Sequence, residues 1–377
     1  MSRTRYILAV IAAGTFASAC DSLSPTGIGG PYFKSESGDG AGQFMTLMTQ
    51  NTLLGTQIGI VLSAPPSEIP LAVGRAYALV PSSQPAERMG RIADQIRASM
   101  PDVVGLQEAV KWLAQRPGDF LIGNPVPAST VEYDLVELIV DALRARGADY
   151  RVAIIVDNTD IELPALPPNT LPLPQNFFDV RLVDRVAILV RSDVEFWNAQ
   201  GGNYDAGLQL QIGPVQKKFL RGWASIDLKI HGRAVRFLTT HLETQDAPPV
   251  QVAQANELLA IVAQSPLPVV MAGDFNSAAN ASAPASTKTA TYGTLVSAGF
   301  QDAWADAHPG DEGLTCCHDA SLVNPIAGFD QRLDLVLLRG FGGTGFGEVV
   351  GEELTDFSVT NRWPSDHAGL FMAVRLP

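Results

Sequence analysis

The chain has 377 residues, and its 39 acidic residues outnumber its 26 Lys and Arg residues, so that its formal net charge at pH 7 is −13. Hydrophobic residues make up 46% of the chain, which is enough for a large core and excludes global disorder. The negative charge argues against a protein that coats DNA through a broad basic face. At about 150 residues per domain, the length alone predicts two to three domains.

The first 19 residues have the pattern of an export signal. Arg3 and Arg5 precede an apolar stretch, residues 6–19, that ends in small residues directly before Cys20. This stretch is too short to span a bilayer, and cleavage after it predicts an exported chain. The cleavage site is also similar to a bacterial lipoprotein box, which would make Cys20 a lipidation site. We therefore expect a periplasmic or cell-surface protein, tethered to a membrane by a lipid anchor or otherwise secreted.

Residues 20–42 are rich in Ser, Gly and Pro, which is typical of a flexible tether. Beyond the tether, apolar residues recur at spacings typical of strands and helices. The predicted strands are 44–49, 103–106, 150–156, 186–190, 224–230, 235–240, 268–272, 333–338 and 369–374. The predicted helices are 89–100, 135–143 and 255–262. Residues 55–85 are predicted to be irregular apart from a short helix near 72–79, and residues 163–174 are predicted to form a loop. Early strand–helix units with hairpins between them predict an α/β fold with mixed sheets.

Six short polar motifs stand where predicted strands end. They are Thr49-Gln50-Asn51, Leu106-Gln107-Glu108, Thr240-His241-Leu242, Gly273-Asp274-Phe275-Asn276, Arg332-Leu333-Asp334 and Ser365-Asp366-His367. Each follows or adjoins an apolar run, which places the polar groups at the rim of a sheet, where α/β proteins collect their sites. Carboxylate and amide oxygens favour a hard cation such as Mg²⁺, and the chain has no HExxH or CxxC motif for zinc.

In this order, the six motifs resemble those of the endonuclease/exonuclease/phosphatase superfamily, which has the deoxyribonuclease I-like fold. The resemblance covers residues 43–377 and implies a four-layered sandwich, with two mixed β-sheets face to face and helices outside. It also implies metal-dependent hydrolysis of a phosphoester. Because the motifs run from Asn51 to His367, both ends of the chain contribute to one site. We therefore expect a single catalytic domain over residues 43–377, in place of two or three.

The resemblance implies a metal site formed by the first, second and last motifs. Glu108 matches the family's metal-binding Glu, Asn51 matches the Asn beside that metal, and Asp366 is a candidate for the same shell. The implied cofactor is Mg²⁺, with Mn²⁺ or Ca²⁺ as possible substitutes.

The resemblance also implies roles for the remaining motif residues. His367 matches the general base that takes a proton from the attacking water, and Asp334 matches the Asp that orients this His. Asp274 and Asn276 match the pair that positions the water and holds the phosphate. His241 matches a His that contacts the phosphate or assists the leaving oxygen. A further residue, Arg185 in the stretch Asp184 to Leu189, is a candidate contact for a phosphate oxygen.

Each of these residues also has an ordinary structural interpretation. Asn51 and Asn276 are residues that favour turns, and His241 and His367 would suit satisfied core positions. Asp334 could instead pair with its neighbour Arg332. A non-catalytic binding module on the same fold is the alternative to an enzyme, although such modules usually lose the His or Asp positions.

The substrate class stays open between nucleic acid, phospholipid and a small phosphoester, and no protein partner is predicted. Lys217, Lys218 and Arg221 cluster before a strand, where a solvated charged face is favoured over a substrate contact.

Cys316 and Cys317 are adjacent and are followed by His318. Zinc binding by these three residues would need a fourth ligand and a spacing that the chain lacks. In an oxidising compartment the two cysteines could form a disulfide, and otherwise they would be buried thiols.

Overall fold

The computed structural model describes residues 44–123, 126–213 and 215–377. The predicted export signal, Cys20 and the predicted tether lie outside the described residues. Within the described ranges, no helix combines the length and the apolar character needed to cross a membrane.

The described ranges contain sixteen strands and seven α-helices. The strands are β1 (Phe44–Asn51), β2 (Val103–Gln107), β3 (Lys111–Gln115), β4 (Thr130–Asp134), β5 (Tyr150–Ala165), β6 (Phe178–Arg191), β7 (Glu195–Asn203), β8 (Leu208–Ile212), β9 (Val215–Phe219), β10 (Gly222–Ile230), β11 (Arg233–His241), β12 (Val269–Asp274), β13 (Gln301–Asp302), β14 (Asp334–Arg339), β15 (Thr344–Val350) and β16 (Gly369–Arg375). The helices are α1 (Gly59–Leu62), α2 (Ile69–Ser82), α3 (Pro85–Ser99), α4 (Leu135–Ala145), α5 (Pro248–Ala263), α6 (Ala290–Ser297) and α7 (Ala303–Ala307).

Two large sheets organise the molecule. The first sheet has the strand order β15-β16-β1-β2-β6-β3-β4, with β5 paired to β6, and the second has the order β13-β14-β12-β11-β10-β7. In the first sheet β1 and β2 are parallel, in the second β11 and β12 are parallel, and the other pairs are antiparallel. Both sheets are therefore mixed, as the sequence predicts. Strands β8 and β9 form a separate hairpin.

The buried apolar side chains separate into layers that show how the sheets stack. Met45 and Ile188 of the first sheet pack against Ile226 and Val336 of the second, which makes an apolar layer between the sheets. Strands expose alternate side chains on opposite faces, so the remaining faces of both sheets also need cover.

Helices supply this cover on both sides. Ile92 of α3 and Ile139 of α4 join the core on the outer face of the first sheet, and Leu258 of α5 and Leu295 of α6 join the core on the outer face of the second. The order helices, sheet, sheet, helices is the predicted four-layered sandwich.

The structure confirms the short helix predicted near residues 72–79, but it contradicts the prediction that the rest of the segment 55–85 is irregular. Helices α1 and α2 occupy much of it, and Val73, Tyr77 and Val80 of α2 are buried. The prolines do not prevent α2, because Pro70 lies in its first turn, where no intrahelical donor is lost, and Pro81 lies at its last residues.

Another correction concerns the predicted loop over residues 163–174, because β5 continues to Ala165. Pro164 is tolerated in this strand because, among the described strands, β5 pairs only with β6, so that one edge of β5 forms no backbone hydrogen bonds with a neighbouring strand.

Candidate active site

The second sheet places three of the predicted polar residues side by side. His241 of β11 is in register with Asp274 of β12, which is in register with Asp334 of β14. On the first sheet, Asn51 ends β1, and His367 precedes β16, which pairs with β1. The side-chain amide of Asn51 crosses to the second sheet and donates to Asp274 Oδ2 at 3.1 Å. The polar ends of the two sheets therefore meet at one place.

The close approach of the two sheets below this site depends on a glycine. A Cβ atom at Gly105 would lie 2.4 Å from Thr239 Oγ1 of the opposite sheet. Beside it, Gln107 Nε2 donates to the same hydroxyl oxygen at 2.8 Å. This contact sets the separation of the sheets directly under the residues that follow Gln107.

His367 and Asp334 form a buried hydrogen-bonded pair. His367 Nδ1 lies 2.8 Å from Asp334 Oδ2, and Asp334 is completely buried. A carboxylate at this nitrogen favours the tautomer with the proton on Nδ1, so that Nε2 presents its lone pair. Asp334 does not pair with Arg332, because Arg332 forms an ion pair with Asp302.

Charges around His367 favour its protonated form. Burial by itself lowers the pKa of His367, but the carboxylates of Asp334, Asp274 and Asp366 outweigh it and raise the pKa well above the usual value. The ring is therefore a strong base once it has lost its proton.

His241 has the opposite electrostatics. Burial first, and then the charges of Arg221 and His367, lower its pKa well below the usual value. Arg221 Nη1 lies 3.1 Å from Nδ1, and Asn276 Nδ2 lies 3.1 Å from Nε2. His241 is consequently a neutral hydrogen-bonding group at neutral pH. Of its two predicted roles, this favours contact with the phosphate over donation of a proton to the leaving oxygen.

Asp274 and Asn276 belong to one tight turn at the end of β12. Asp274 Oδ1 accepts a hydrogen bond from the backbone N–H of Asn276 at 2.9 Å, and Asn276 has a positive φ of 51°. Asn is one of the few residues that tolerate this left-handed conformation. The turn aims the Asn276 amide at Leu242 O and at the His241 ring. Burial, together with the charge of Asp334, raises the pKa of Asp274 to about 6 against the opposing charge of His367.

Glu108 directly follows β2 of the first sheet and lies near other carboxylates. Its Oε2 accepts from the backbone N–H of Leu54 at 2.7 Å, and its Oε1 lies 3.3 Å from Asn51 Nδ2. Burial, followed by the charges of Asp366 and Asp184, raises its pKa to about 7. The left-handed φ of 49° at Glu108 is an uncommon conformation of the kind that functional sites retain.

These carboxylates fit a hard divalent cation. Burial and the charges of Asp366 and Asp184 disfavour the ionised form of Glu108, and a bound cation would favour it. Asp184 Oδ1 is also buried without a hydrogen-bond partner. Asp184 was not predicted from the sequence, because a lone Asp inside a strand carries no motif.

The predicted phosphate contact by Arg185 is wrong. Its guanidinium is buried and donates to Asp134 at 2.5 and 3.0 Å and to the backbone oxygens of Ala109 and Val110. These hydrogen bonds occupy the guanidinium with partners inside the protein and connect β6 to the start of α4. Arg185 is therefore a structural residue that holds the segment after Glu108.

Arg221 is the basic residue that reaches the site. It lies against His241, and its Nη2 donates to Glu243 Oε1 at 3.2 Å. The expectation of a solvated charged face for Lys217, Lys218 and Arg221 was therefore wrong for Arg221. Charge clustering in the sequence could have identified it, but only contact with His241 distinguishes it from its neighbours.

Arg88 connects the two chain segments that flank the carboxylates. Its guanidinium donates to Thr52 O and Leu53 O beyond β1 and to Pro364 O ahead of Asp366. Burial lowers its pKa to about 10. Sequence reasoning missed Arg88, because its position in α3 looks like the polar side of an amphipathic helix.

Replacing Arg185 by Met is expected to lower the free energy of unfolding by about 3 kcal/mol, because Asp134 would remain as a buried charge. Lys111, 3.3 Å from the same carboxylate, offsets part of the loss. The matched control is Arg144→Met, since Arg144 pairs with Asp141 at a site where both side chains are more than 70% exposed. That change should cost no more than about 1 kcal/mol.

Urea unfolding of both variants measures this difference. Equal effects of the two substitutions would contradict the structural role of Arg185, as would a stable Arg185→Met protein that has lost substrate binding.

The comparisons with known proteins agree with this architecture. The model of the Endonuclease/Exonuclease/phosphatase family matches residues 48–367. The chain belongs to this family, whose members are typically hydrolases that act on phosphoester bonds. No curated protein matches the chain.

Solved structures show the same fold. D. rerio TDP2 complexed with single-strand DNA product is 16% identical, covers 88% of this chain and 99% of its own, and has a TM-score of 0.52. A family protein from Bacteroides thetaiotaomicron is 16% identical, covers 89% and 98%, and has a TM-score of 0.52. One from Beutenbergia cavernae is 21% identical, covers 89% and 72%, and also has a TM-score of 0.52. The sandwich is therefore deoxyribonuclease I-like.

Proposed function

We propose that the protein is an exported, Mg²⁺-dependent phosphoesterase that cleaves a phosphodiester or phosphomonoester by attack of water activated by His367. The observation that carries the proposal is the meeting of the His367–Asp334 pair with the carboxylates around Glu108 at one end of the two sheets. Export, and a lipid anchor at Cys20, rest on the sequence pattern of the first 20 residues.

His367 acts as the base. With Nδ1 hydrogen-bonded to Asp334, Nε2 accepts the proton of the attacking water, and the Asp334 carboxylate stabilises the imidazolium that forms. Asp274 Oδ2, 3.9 Å from Nε2, is placed to accept a second hydrogen bond from that water. The attack requires His367 to be neutral beforehand.

Glu108 and Asp366, with Asn51 beside them, would hold the cation, and Mn²⁺ or Ca²⁺ could replace Mg²⁺. When bound, the cation supplies Lewis-acid neutralisation of phosphoryl oxygens. Asn51 also donates to Asp274, so the same amide joins the carboxylate site to the base.

The phosphate side of the site is formed by neutral donors and one cation. Asn276 Nδ2 and Arg221 Nη1 each lie 3.1 Å from a ring nitrogen of His241. Asn276 and His241 would donate hydrogen bonds to a bound phosphate, and Arg221 would add positive charge beside them. Donors fixed before the reaction stabilise the charge that develops on phosphoryl oxygens without having to reorganise.

Replacing Arg221 by Met should lower kcat/KM about 10²-fold, because a fixed cation beside the phosphate would be lost. Arg221→Lys should recover part of the activity, since it keeps the charge but not the planar set of donors. Lys217→Met on β9 is the control and should remain close to the wild-type rate. Equal losses in Arg221→Met and Lys217→Met would refute a specific role for Arg221.

The substrate is a nucleic acid, a phospholipid or a small phosphoester. TDP2, one of the proteins with this fold, has been solved with a single-strand DNA product. The acidic net charge of −13 argues against tight non-specific DNA binding, while a membrane anchor would favour a lipid substrate. A screen of purified protein with Mg²⁺ on plasmid DNA, sphingomyelin, phosphatidylinositol phosphates and nucleotide diesters tests the proposal. We expect hydrolysis of at least one, and none at all would favour a binding module.

A further inference from the structure

Residues 315–318 lie between the two segments that carry the base and its carboxylate. Thr315 Oγ1 accepts the backbone N–H of Asp334 at 3.2 Å, and Thr315 O accepts the N–H of Ala368 at 2.8 Å. His318 N donates to Asp366 O at 2.9 Å. This short segment therefore touches the backbone on both sides of His367.

The segment brings two sulfur atoms next to the catalytic imidazole. Cys316 and Cys317 are joined by a disulfide, and Cys316 forms an isolated β-bridge with His367. Both Sγ atoms and a ring nitrogen of His367 lie within 4.8 Å of one another. Cys316 is buried, whereas Cys317 is exposed and open to reagents.

Two thiolates and an imidazole are ligands of soft and borderline cations, in contrast to the oxygen ligands around Glu108. Zinc sites with three protein ligands keep their fourth position for water or another small ligand. His318, which follows the two cysteines in sequence, is not the histidine grouped with them in the structure. Its ring stacks on Trp363 at 4.0 Å between centroids, and its Nδ1 lies 3.2 Å from Asn324 Nδ2.

We propose that, when reduced, Cys316 and Cys317 form with His367 a site for a soft divalent cation such as Zn²⁺. Occupation of this site takes the lone pair of His367 and stops it from acting as the base. The binding half of the inference stands on the position of the three side chains, and its effect on catalysis rests on the proposed function.

Reduction of the Cys316–Cys317 disulfide needs two electrons and two protons, which an external dithiol supplies. One thiolate of the dithiol attacks the exposed Sγ of Cys317, a mixed disulfide forms, and Cys316 leaves as a thiolate that takes up a proton. The second thiol of the reductant then attacks the reductant sulfur of the mixed disulfide. Cys317 leaves and is protonated, and the reductant ends as a disulfide. Cation binding afterwards displaces the thiol protons.

Cadmium is the probe, because its bonds to thiolates absorb in the ultraviolet. The protein carries Cys20→Ser, so that the third cysteine does not contribute. It is reduced with dithiothreitol, and the reductant is removed in the absence of oxygen. The reduced protein and an oxidised sample are then titrated with Cd²⁺ in parallel. We expect a charge-transfer band that saturates at one Cd²⁺ per chain in the reduced sample, and no band in the oxidised one. Bands of equal size in both samples, or none after reduction, would overturn the proposal.

Variants separate the three ligands. Cys317→Ser, at an exposed position, should remove the saturating band, and His367→Ala should weaken Cd²⁺ binding at least about tenfold. His318→Ala is the matched control and should bind Cd²⁺ as the parent does. Weakening by His318→Ala with none by His367→Ala would overturn the assignment of the nitrogen ligand.

A rate measurement tests the effect on catalysis. With Mg²⁺ saturating, one equivalent of Cd²⁺ should inhibit the reduced protein and leave the oxidised protein active, each compared with its own rate without Cd²⁺. Inhibition of both forms to the same extent would refute the link to His367. If no phosphoester is cleaved at all, the proposed function fails, while the cadmium band still decides whether the site exists.

Discussion

Replacing His367 by Ala is expected to lower kcat by about 10²–10⁴-fold, because the attacking water would lose the group that accepts its proton. The Nε2 atom of His367 is the acceptor in this account, and Asp334 fixes Nδ1 at 2.8 Å. KM should change much less than kcat, since the substrate contacts at Asn276 and Arg221 remain.

The control for this loss is another histidine, which lies outside the six motifs. His308 stacks on Trp304, with 4.2 Å between the ring centroids, and His308→Ala should stay close to the wild-type rate. Steady-state kinetics on whichever phosphoester is cleaved best would check both variants. A His367→Ala protein with nearly wild-type kcat would contradict the assignment of the base.

The pH dependence of the rate follows from the charges around His367. Protonated His367 cannot accept a proton, so kcat/KM should rise with pH until the ring has lost its proton. Asp334→Asn removes the carboxylate that contributes most to the raised pKa, and burial then lowers it. The rising limb should therefore move to lower pH in Asp334→Asn, although the maximal rate falls. An unmoved limb would show that another group controls it.

Replacing Glu108 by Gln is also expected to have a large effect. It should lower the activity but raise the stability of the metal-free protein. The rate should fall about 10²–10³-fold, because the carboxylate that would hold the cation is lost. In metal-free protein above pH 7, however, the variant should be more stable than the wild type. The pKa of Glu108 is raised to about 7, so its ionisation opposes folding, and this penalty grows as pH rises from the ordinary pKa of Glu through 7.

Thermal unfolding with EDTA at pH 5 and pH 8 measures this effect. The gain in Tm from Glu108→Gln should be larger at pH 8, and added Mg²⁺ should stabilise the wild type more than the variant. Glu137→Gln, at an exposed position in α4, is the control and should change neither Tm nor rate. A Glu108→Gln protein destabilised at both pH values would mean that the carboxylate has a structural role instead.

The strands that build the site could be predicted because each is a short apolar run with a polar residue at its end. This pattern locates Asn51, Glu108, His241 and Asp274 at or just beyond the ends of their strands. It holds because a strand buried between two layers has few polar residues until it reaches the rim. The structure brings these residues together, as the resemblance to the superfamily implied.

The residues that support the site could not be predicted, because their roles depend on partners far away in the chain. Arg88 contacts Pro364 O across 276 positions, and nothing near Arg88 in sequence indicates this. Arg185 looks like a free cation in the sequence, and only the fold brings Asp134 to it. Strands such as β7, whose residues are mostly exposed, lack the apolar alternation from which strands are inferred.

The central claim is that the carboxylates around Glu108 hold a cation without which His367 cannot cleave a phosphoester. Chelation tests it most directly: the purified protein is assayed on its best substrate before EDTA, after EDTA, and after dialysis with Mg²⁺ added back. The account predicts that EDTA abolishes hydrolysis, that Mg²⁺ restores it, and that Mg²⁺ does not raise His367→Ala above its strongly lowered rate. Hydrolysis that survives both chelation and His367→Ala would contradict it.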